Sequence, residues 1–465
     1  MNERNAFKGS LGFVLAAAGS AVGLGNIWRF PYLAAKDGGG IFLLVYFVLL
    51  LTFGFALLTT EIAIGRKTKQ GPLTAYGHIS EKWKHLGILG CLIPAIILPY
   101  YCAIGGWVLK YFMIYVNGEG ALAAADGFFG GFITGGSDPI YYMAVFFFMC
   151  AAVILGGVNK GIEATSRVIM PALICLIVAI GVFALTLTYT DPATGITRTG
   201  MDGLHIYMVP NLDGMTIGTF LGVLVDAMGQ LFFSLSIAMG IMVAYGSYVS
   251  DKANAVASIN QIEFFDTLVA FLAGMMIIPA VFTFMGTPGL ASAGPGLIFV
   301  SLPKVFQSMG EVGDIIGVLF FLMVLFAAVT SAVSIYEAVV SSIMDKTGMD
   351  RPKATIVEGV IALIMAVVVC LGYTSWYFVV PMPTGGTGQI LDIMDYLSNN
   401  ILMPVIAIGT CIMIGWSVGP QVIIDEVEKN GESFSRRMIY VVMIKYIAPV
   451  LLLVLLAKSS GLITI

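Results

Sequence analysis

Eleven apolar segments, each about as long as a bilayer-spanning helix, limit the folds open to this chain. A segment inside lipid must pair its own backbone N–H and C=O groups, and an α-helix does so. Of the 465 residues, 58% are hydrophobic and 11% are charged, whereas a soluble domain has roughly 45–50% apolar and about 25% charged residues. The sequence therefore predicts an all-α polytopic membrane protein, one transmembrane domain over 1–465, with spans at 11–35, 41–65, 87–116, 140–157, 167–190, 217–249, 255–285, 312–343, 355–378, 393–416 and 437–457.

Charge and cysteine content argue against several other classes. A formal net charge of -4 offers no basic surface, so no nucleic-acid partner is expected. The six cysteines are scattered singly, without CxxC spacing or a nearby histidine, and are predicted to be small buried residues. The hydroxyl of Ser331 has no neighbouring His or Lys base in the sequence, and no spacing suggests a catalytic metal, so no catalytic residues and no enzyme activity are expected.

Basic residues set the predicted orientation. Most of the 23 Lys and Arg residues fall in loops that share a side with the N-terminus, and the predicted outer loop 117–139 has none. The positive-inside rule then places the N-terminus in the cytoplasm and the C-terminus outside the cell membrane. The first segment has no small-residue cleavage site, so it is predicted to be a retained span and not a signal peptide.

The first span is interrupted at residues 19–31 by three glycines, Asn26 and the charged Arg29. In a membrane, such a break is tolerated only where it faces protein, an ion or a water-filled cavity. An intramembrane arginine normally marks a pathway or a paired charge. The break is therefore a candidate site, and close glycine packing against a neighbouring helix is the alternative.

A second break lies in span 6, where residues 230–240 mix small and polar side chains into an apolar helix. Interrupted helices at corresponding positions of two halves indicate the midplane site of an inverted-repeat transporter. The predicted repeats are 1–190 and 217–416, and 437–457 is an additional span.

Two further spans carry polar groups at membrane depth. Span 8 contains adjacent hydroxyls, Thr330 and Ser331, and span 7 contains the carboxylate of Asp266. Both are candidate cation ligands, since an intramembrane ionisable residue indicates function. The alternatives are back-bonding of Thr330 and Ser331 to the preceding turn, and a solvated headgroup position for Asp266.

These residues resemble a known family. The run AVGLGN-x-WRFPY at 21–32, the Tyr100-Tyr101 pair, residues 232–240 and Thr330-Ser331 are similar to the neurotransmitter:sodium symporter family, specifically its bacterial amino-acid transporters of the leucine-transporter type. The likeness covers nearly the whole chain in order. It implies a 5+5 inverted-repeat fold with broken helices 1 and 6 plus an eleventh transmembrane helix, sodium coupling and alternating access.

The resemblance also implies two Na+ sites. Carried over by position, the first would use the Ala21 carbonyl, Asn26, Ser234 and Asp266, together with the substrate carboxylate. The second would use the carbonyls of Gly19, Val22 and Ala327 with the hydroxyls of Thr330 and Ser331.

The substrate site carries over in the same way. The α-carboxylate would meet the backbone amides of Leu24 and Gly25 and the Tyr101 hydroxyl, and half-helix N–H groups do favour an anion. The amino group would meet carbonyls of Ala21, Phe233 and Ser234. An apolar pocket suited to a hydrophobic side chain would comprise Ile97, Phe233, Ser236, Met239, Ser331 and Ile335.

Two gates follow from the same resemblance. Arg29 and Asp395 would form the outer gate, and Arg4 and Asp345, with Tyr248 nearby, would close the inner side. The acids Glu61 and Glu337, inside spans 2 and 8, are predicted to hydrogen-bond the broken helices, and residues 385–388 are predicted to be a flexible outer loop.

Departures from the family pattern refine the substrate and ion predictions. Gly23 stands where monoamine-transporting members have an Asp, so a substrate with its own carboxylate is expected. Asp266 replaces an Asn of many chloride-using members. The positions that resemble their chloride site are Tyr46, Gln230, Ser234 and Ala270, and Ala270 lacks the hydroxyl that chloride would want. A fixed carboxylate could supply the compensating charge, so chloride independence is predicted.

The leading hypothesis is a sodium-coupled symporter of hydrophobic L-amino acids in the cell membrane, working as a monomer or weak homodimer. One alternative is a non-transporting amino-acid sensor on the same fold, and another is a symporter of a different small zwitterionic solute. An ion channel would need a continuous polar pore, which the sequence does not indicate.

Overall fold

The fold is known from a computed structural model, which describes residues 6–192, 194–291, 294–383 and 385–463. In this part of the chain, ten helices are long and apolar enough to cross a membrane, and a bent pair at the N-terminus makes an eleventh span. We call the membrane face where span 1 begins the Ser10 side and the opposite face the Lys36 side. In order, the spans are Ser10–Ala21 (1a) with Gly25–Lys36 (1b), Gly40–Thr68, Glu81–Val116, Ser137–Leu155, Val158–Leu185, Ile217–Ser234 (6a), Ala255–Leu290, Glu311–Thr347, Arg351–Leu371, Ile390–Ser417 and Arg437–Ser459.

Span 1 is broken where the sequence predicts it. The helix leaves α geometry at Val22, with ψ 81°, and the two halves meet at an angle of 52°. Nearly the whole of span 1a is enclosed, since every residue from position 12 to 21 is buried.

Span 6 is broken too. Span 6a ends at Ser234, and a short helix, 6b (Ile241–Ser247), continues after six non-helical residues. Within this break, Ser236 and Ala238 have φ of 53° and 63°, values that cost a non-glycine residue about 1–2 kcal/mol each. The surrounding packing therefore holds the unwound backbone in place.

The broken helices lie at the centre of the bundle. Span 1a packs against spans 5, 7 and 8, span 1b against span 7, and both halves of span 6 against span 2. Spans 3 and 8 pack along each other and complete the enclosure. Span 9 instead exposes apolar side chains such as Ile361 and Ile364 outward, as a lipid-facing helix does.

Short elements cap the bundle. On the Lys36 side are the helices Gly120–Ala123, Phe128–Ile133, Gly200–Met208 and Leu297–Ser308, and two hairpins, β1 (Thr188–Thr190) with β2 (Thr197–Thr199) and β3 (Val380–Pro381) with β4 (Thr387–Gly388). On the Ser10 side lie Pro72–Ile79 and Gln421–Val427.

Some predicted span ends and one predicted loop were wrong. Span 5 ends at Leu185 and not at 190, because Thr188–Thr190 pairs with Thr197–Thr199 in an antiparallel ladder. Span 9 ends at Leu371 and not at 378. Residues 385–388 were predicted as a flexible loop, but Thr387–Gly388 pairs with Val380–Pro381.

Candidate functional site

A buried polar cluster joins the two breaks. The Ser234 hydroxyl donates to Asp266 Oδ1 at 2.6 Å and lies 3.1 Å from Asn26 Oδ1, and the Asn26 amide donates to Asp266 Oδ1 at 2.9 Å. The Tyr46 hydroxyl donates to Asp266 Oδ2 at 3.2 Å. Asn26, Ser234 and Asp266 are each 0% exposed. Three side chains assigned to the first ion site are thus assembled by the fold.

Local structure explains why these side chains converge. Ser234 is the last residue of span 6a, and Asn26 lies in the first turn of span 1b, directly after its break. Span 7 packs against span 1b and supplies Asp266, which bonds Ser234 at the end of span 6a. Asp266 is fully buried, so the alternative of a solvated headgroup position was wrong. Gln230, one turn before Ser234, donates to the Gly25 carbonyl at 3.2 Å and ties the two half-helices together.

The charge of this cluster is not balanced by protein. Among the described residues, the side chains that hydrogen-bond Asp266 are an amide and two hydroxyls, and no Lys, Arg or His lies within 4.0 Å of it. A buried carboxylate without a counter-charge is strongly unfavourable. The oxygens of Asn26, Ser234 and Asp266 therefore form a site that suits a small cation.

The second predicted ion set is brought together only in part. Thr330 back-bonds to the carbonyls of Phe326 and Ala327, at 3.1 Å each, which is the alternative foreseen for it. Its Cβ lies 3.4 Å from where a Cβ on Gly19 would stand, so spans 8 and 1a are in contact there. Ser331 donates across to the Ser20 carbonyl at 3.1 Å. The geometry of a cation with the Gly19, Val22 and Ala327 carbonyls stays a prediction.

Tyr101 marks the predicted carboxylate position. Its hydroxyl is buried and makes no hydrogen bond within the described part of the chain. A Cβ built on Gly23 would lie 3.5 Å from this hydroxyl and 2.8 Å from Ser331 Oγ. A side chain at position 23 would therefore fill the space at the break, and the unpaired phenol is a donor available to an anion.

The remaining predicted pocket residues are enclosed. They are 6% exposed or less, except Phe233, which is partly buried. The Phe233 ring lies so close to Gly25 that a Cβ there would overlap it. The enclosed set comprises Ala21, Leu24, Ile97, Tyr101, Ser234, Ser236, Met239, Ser331 and Ile335.

A cavity of about 390 Å³ lies beyond Phe233 on the Lys36 side, lined also by Arg29, Asp226 and Lys458. The charges of Asp395 and Asp226 both act on Arg29, but no described acid lies within 4.0 Å of it. The structure thus brings the predicted outer gate residues near each other without a direct ion pair. Asp395 accepts a hydrogen bond from Asn399 at 2.6 Å.

The Ser10 side is sealed by aromatic packing and a buried ion pair. The Phe7 amide donates to the Tyr248 carbonyl at 3.2 Å, and the two rings are in edge contact. Arg351 donates to both Glu337 oxygens, at 2.6 and 2.8 Å, and the Tyr248 hydroxyl donates to Glu337 Oε1 at 2.6 Å. Of the predicted inner pair, Asp345 accepts from the Gly71 amide, and Arg4 lies outside the described residues.

Some functional contacts were predicted and others were missed. Glu61 accepts from the Ala238 amide at 2.7 Å, which confirms its predicted bond to broken helix 6. The Ser20 carbonyl accepts from both Ser236 and Ser331, and sequence reasoning missed it because a backbone acceptor has no residue-type signal. Arg351 was missed as the partner of Glu337, although its place at the start of span 9 was a signal.

Two interrupted helices that meet around a buried, oxygen-rich cluster inside an eleven-span bundle define a class, the membrane transporters with the leucine-transporter-type fold. The profile of the Sodium:neurotransmitter symporter family matches residues 4–123 and 135–463. The chain belongs to this family, whose members are transporters and not enzymes.

Relatives and a solved structure agree. The chain is 30% identical to an uncharacterized sodium-dependent transporter of Haemophilus influenzae, over 98% of both chains, and 31% identical to one of Bacillus subtilis, over 98% of this chain and 97% of the relative. It is 25% identical to the sodium- and chloride-dependent taurine transporter of Rattus norvegicus, over 92% of this chain and 73% of that one. The crystal structure of MhsT in complex with L-phenylalanine matches with a TM-score of 0.84 and 32% identity, covering 98% of this chain and 100% of MhsT. These comparisons confirm the fold predicted from the sequence and the prediction that the protein is a multi-pass sodium-dependent transporter.

Proposed function

We propose that this protein is a symporter that carries hydrophobic, aliphatic or aromatic L-amino acids together with sodium across the cell membrane by alternating access. The observation that carries the proposal is the buried Asp266 carboxylate, which lies among neutral oxygen ligands where both broken helices meet. A carboxylate of this kind needs a cation, and helix breaks in transporters are where coupling ions bind.

Sodium is cargo in this proposal, at two sites. The first is formed by the Ala21 carbonyl, Asn26, Ser234 and Asp266. The second takes the Gly19, Val22 and Ala327 carbonyls with Thr330 and Ser331, and the contact between spans 1a and 8 supports it.

The substrate is proposed to bind through both of its charged groups. Its carboxylate meets the Leu24 and Gly25 amides and the unpaired Tyr101 hydroxyl, and its amino group meets the carbonyls of Ala21, Phe233 and Ser234. The enclosed apolar pocket and the L-phenylalanine complex of the similar MhsT support a hydrophobic side chain. The adaptable thioether of Met239 leaves room for aromatic substrates.

Chloride independence is part of the proposal. Of the groups at the position of the family's chloride site, Tyr46 and Ser234 already donate to Asp266, and Gln230 donates to the Gly25 carbonyl. Ala270 has no donor side chain and is buried. The Asp266 carboxylate thus uses donors that a chloride ion would need.

Orientation and organisation complete the proposal. The Ser10 side faces the cytoplasm, the C-terminus lies outside, 1–190 and 217–416 are the repeats, and the protein works as a monomer or weak homodimer. Closed packing at Phe7 and Tyr248, together with a cavity lined by Arg29, which has no ion-pair partner among the described residues, fits a transporter that is sealed toward the cytoplasm.

The decisive experiment measures binding of a panel of L-amino acids to the purified protein in sodium and in potassium. Asp266→Asn and Thr330→Ala are compared with matched controls on span 7, Glu263→Gln and Thr283→Ala. Glu263 pairs with Arg436 one turn from Asp266. The Thr283 hydroxyl back-bonds to Pro279 at 2.8 Å, 17 residues along the chain from Asp266.

Tight, sodium-dependent binding of apolar or aromatic amino acids, weakened only by the two site variants, is the expected result. Binding that ignores sodium would overturn the ion-site assignment, and binding without uptake into proteoliposomes would make the protein a sensor. Uptake that falls several-fold when gluconate replaces chloride would contradict chloride independence.

A further inference from the structure

A cavity of about 650 Å³ opens on the Ser10 side, and its lining residues are distinct from those of the transport site. It lies between the short helix Pro72–Ile79 and the first turns of span 3, and it is bounded by the end of span 8. None of its residues is used by the proposed transport mechanism. Its charged and ring-nitrogen side chains are His78, Glu81, Lys84, His85 and Lys346.

The cavity carries excess positive charge in a form available to a ligand. Lys346 is exposed and has no acid within 4.0 Å among the described residues. Lys84 pairs at 2.6 Å with Glu81, but both side chains are more than half exposed, and such pairs contribute little. His85 adds a ring nitrogen that can donate a hydrogen bond, whereas His78 Nδ1 is already bonded to the Thr74 carbonyl at 3.0 Å. A single anion could therefore bind the ammonium groups of Lys346 and Lys84 at the same time.

A lipid-facing stripe begins directly at this cavity. Lys84, Ile88 and Leu92 follow each other at four-residue spacing, so they share one face of span 3. Ile88 is 52% exposed and Leu92 is 42% exposed, and both belong to a span long and apolar enough to cross the membrane. This face of span 3 thus begins with the cationic side chain at the cavity and continues with exposed apolar side chains.

An aromatic side chain places the cavity at the level of the membrane interface. Trp83, next to Lys84, donates to Ser417 Oγ at 3.0 Å and ties the start of span 3 to the end of span 10. Trp416, at the same end of span 10, is 62% exposed. Tryptophan is enriched where membrane meets water.

We propose that this cavity binds the phosphate headgroup of an anionic phospholipid in the leaflet on the Ser10 side, with one acyl chain along Ile88 and Leu92. The headgroup contacts Lys84 and Lys346, and Glu81 is displaced from Lys84. A soluble phosphate compound would use the same cations but would gain nothing from the exposed apolar side chains. The combination of both features is why we assign a lipid.

The proposed lipid site also borders the short helix Pro72–Ile79, which is bonded to the end of span 8 on the Ser10 side. The backbone amides of Gly71 and Leu73, at the start of the short helix Pro72–Ile79, donate to the Asp345 carboxylate and to Ser342 Oγ of span 8. A bound headgroup would bridge Lys84 of span 3 to Lys346 of span 8, beside this short helix. The lipid is therefore placed to strengthen the contact between spans 3 and 8.

The test is native mass spectrometry of the full-length protein, titrated in detergent with phosphatidylglycerol, phosphatidylcholine or inorganic phosphate. The variant is Lys84→Gln/Lys346→Gln. The matched control is Lys160→Gln/Lys353→Gln, which removes two exposed lysines on the same side, one of them paired with an acid three residues away as Lys84 is.

We expect the tightest phosphatidylglycerol-binding step to weaken by about 25-fold in the variant, about fivefold per lysine, and by less than about twofold in the control. Phosphatidylcholine binding should be equal in all three proteins, which also shows that the variants are folded. Equal losses in variant and control, or wild-type affinity for phosphatidylcholine that matches that for phosphatidylglycerol, would refute the site. Inorganic phosphate that displaces the lipid at equal concentration would reassign it to a soluble anion.

Discussion

A methyl group added at Gly25 should disturb the substrate site through one identified contact. A Cβ there would lie 2.7 Å from Cε1 of Phe233 and closer still to Cδ1. The Phe233 ring can relieve this overlap by turning into the cavity that it already borders on the Lys36 side. The Phe233 ring is part of the predicted substrate pocket. Substrate binding therefore requires the ring to turn back toward Gly25, where it would overlap the added methyl group again.

The size of the effect follows from known costs of overpacking. An extra methyl in a well-packed interior costs about 1–3 kcal/mol, which corresponds to roughly a 5- to 150-fold loss of affinity. Gly25→Ala is therefore expected to weaken sodium-dependent amino-acid binding by a factor in that range. Reducing the ring by Phe233→Leu should cost less affinity in the Gly25→Ala background than in the wild type, since the two residues are in contact.

Gly19→Ala is the matched control. It makes the same change in the same broken span, but its Cβ would lie 3.4 Å from Thr330 Cβ, an ordinary contact distance. Equilibrium binding of radiolabelled L-amino acid to purified protein in sodium measures all four variants. Equal losses for Gly19→Ala and Gly25→Ala would show that lost glycine flexibility, and not the overlap with Phe233, causes the effect. Wild-type affinity in Gly25→Ala would refute the reasoning outright.

Three further predictions concern stability, measured as thermal midpoints in sodium. Ala238→Gly removes left-handed strain at φ 63°, worth about 1–2 kcal/mol, and should raise the midpoint; a fall would mean that the methyl group's packing outweighs the strain. Arg351→Gln leaves buried Glu337 without its cation, which costs about 3–5 kcal/mol, so the midpoint should fall and Glu337→Gln/Arg351→Gln should regain most of it; no recovery in the double variant would contradict this. Burial, reinforced by the negative charge of Asp226, raises the pKa of the Asp37 carboxyl to about 6 in the folded protein. The stabilisation that goes with the protonated carboxyl is therefore fully present below about pH 4 and is lost as the pH rises through about 6. Asp37→Asn should flatten the stability profile across that interval, and an unchanged slope would exclude Asp37 as its source.

Sequence reasoning located the spans and breaks because both have direct chemical signals. Apolar length marks a span, and spans 2, 7 and 8 begin within one residue of their predicted positions at 41, 255 and 312. A break is visible because glycine and polar residues violate the apolar pattern. The short hairpin at Thr188–Thr190 was missed since three residues beyond an apolar helix give no such signal.

Side-chain partnerships were harder to predict than positions. Asn26, Ser234 and Asp266 were placed together through a family resemblance, and the structure assembles them. The Ser20 carbonyl, in contrast, accepts hydrogen bonds from Ser236 and Ser331, which the sequence assigns to the substrate pocket and the second ion site. Which hydroxyl bonds which carbonyl depends on how closely two helices approach, and a single sequence does not contain that distance.

The arrangement around Arg29 indicates which acid is available to close the outer side. Asp226 is already held by two lysines, Lys36 at 2.6 Å and Lys458 at 3.0 Å, whereas Asp395 accepts a hydrogen bond from the neutral Asn399. An ion pair of Arg29 with Asp395 would be more favourable than one with Asp226, because a carboxylate with two cations nearby attracts a third less strongly. Asp226 links the two half-helices to span 11 through these lysines. We therefore propose that the predicted outer gate closes when Arg29 moves toward Asp395.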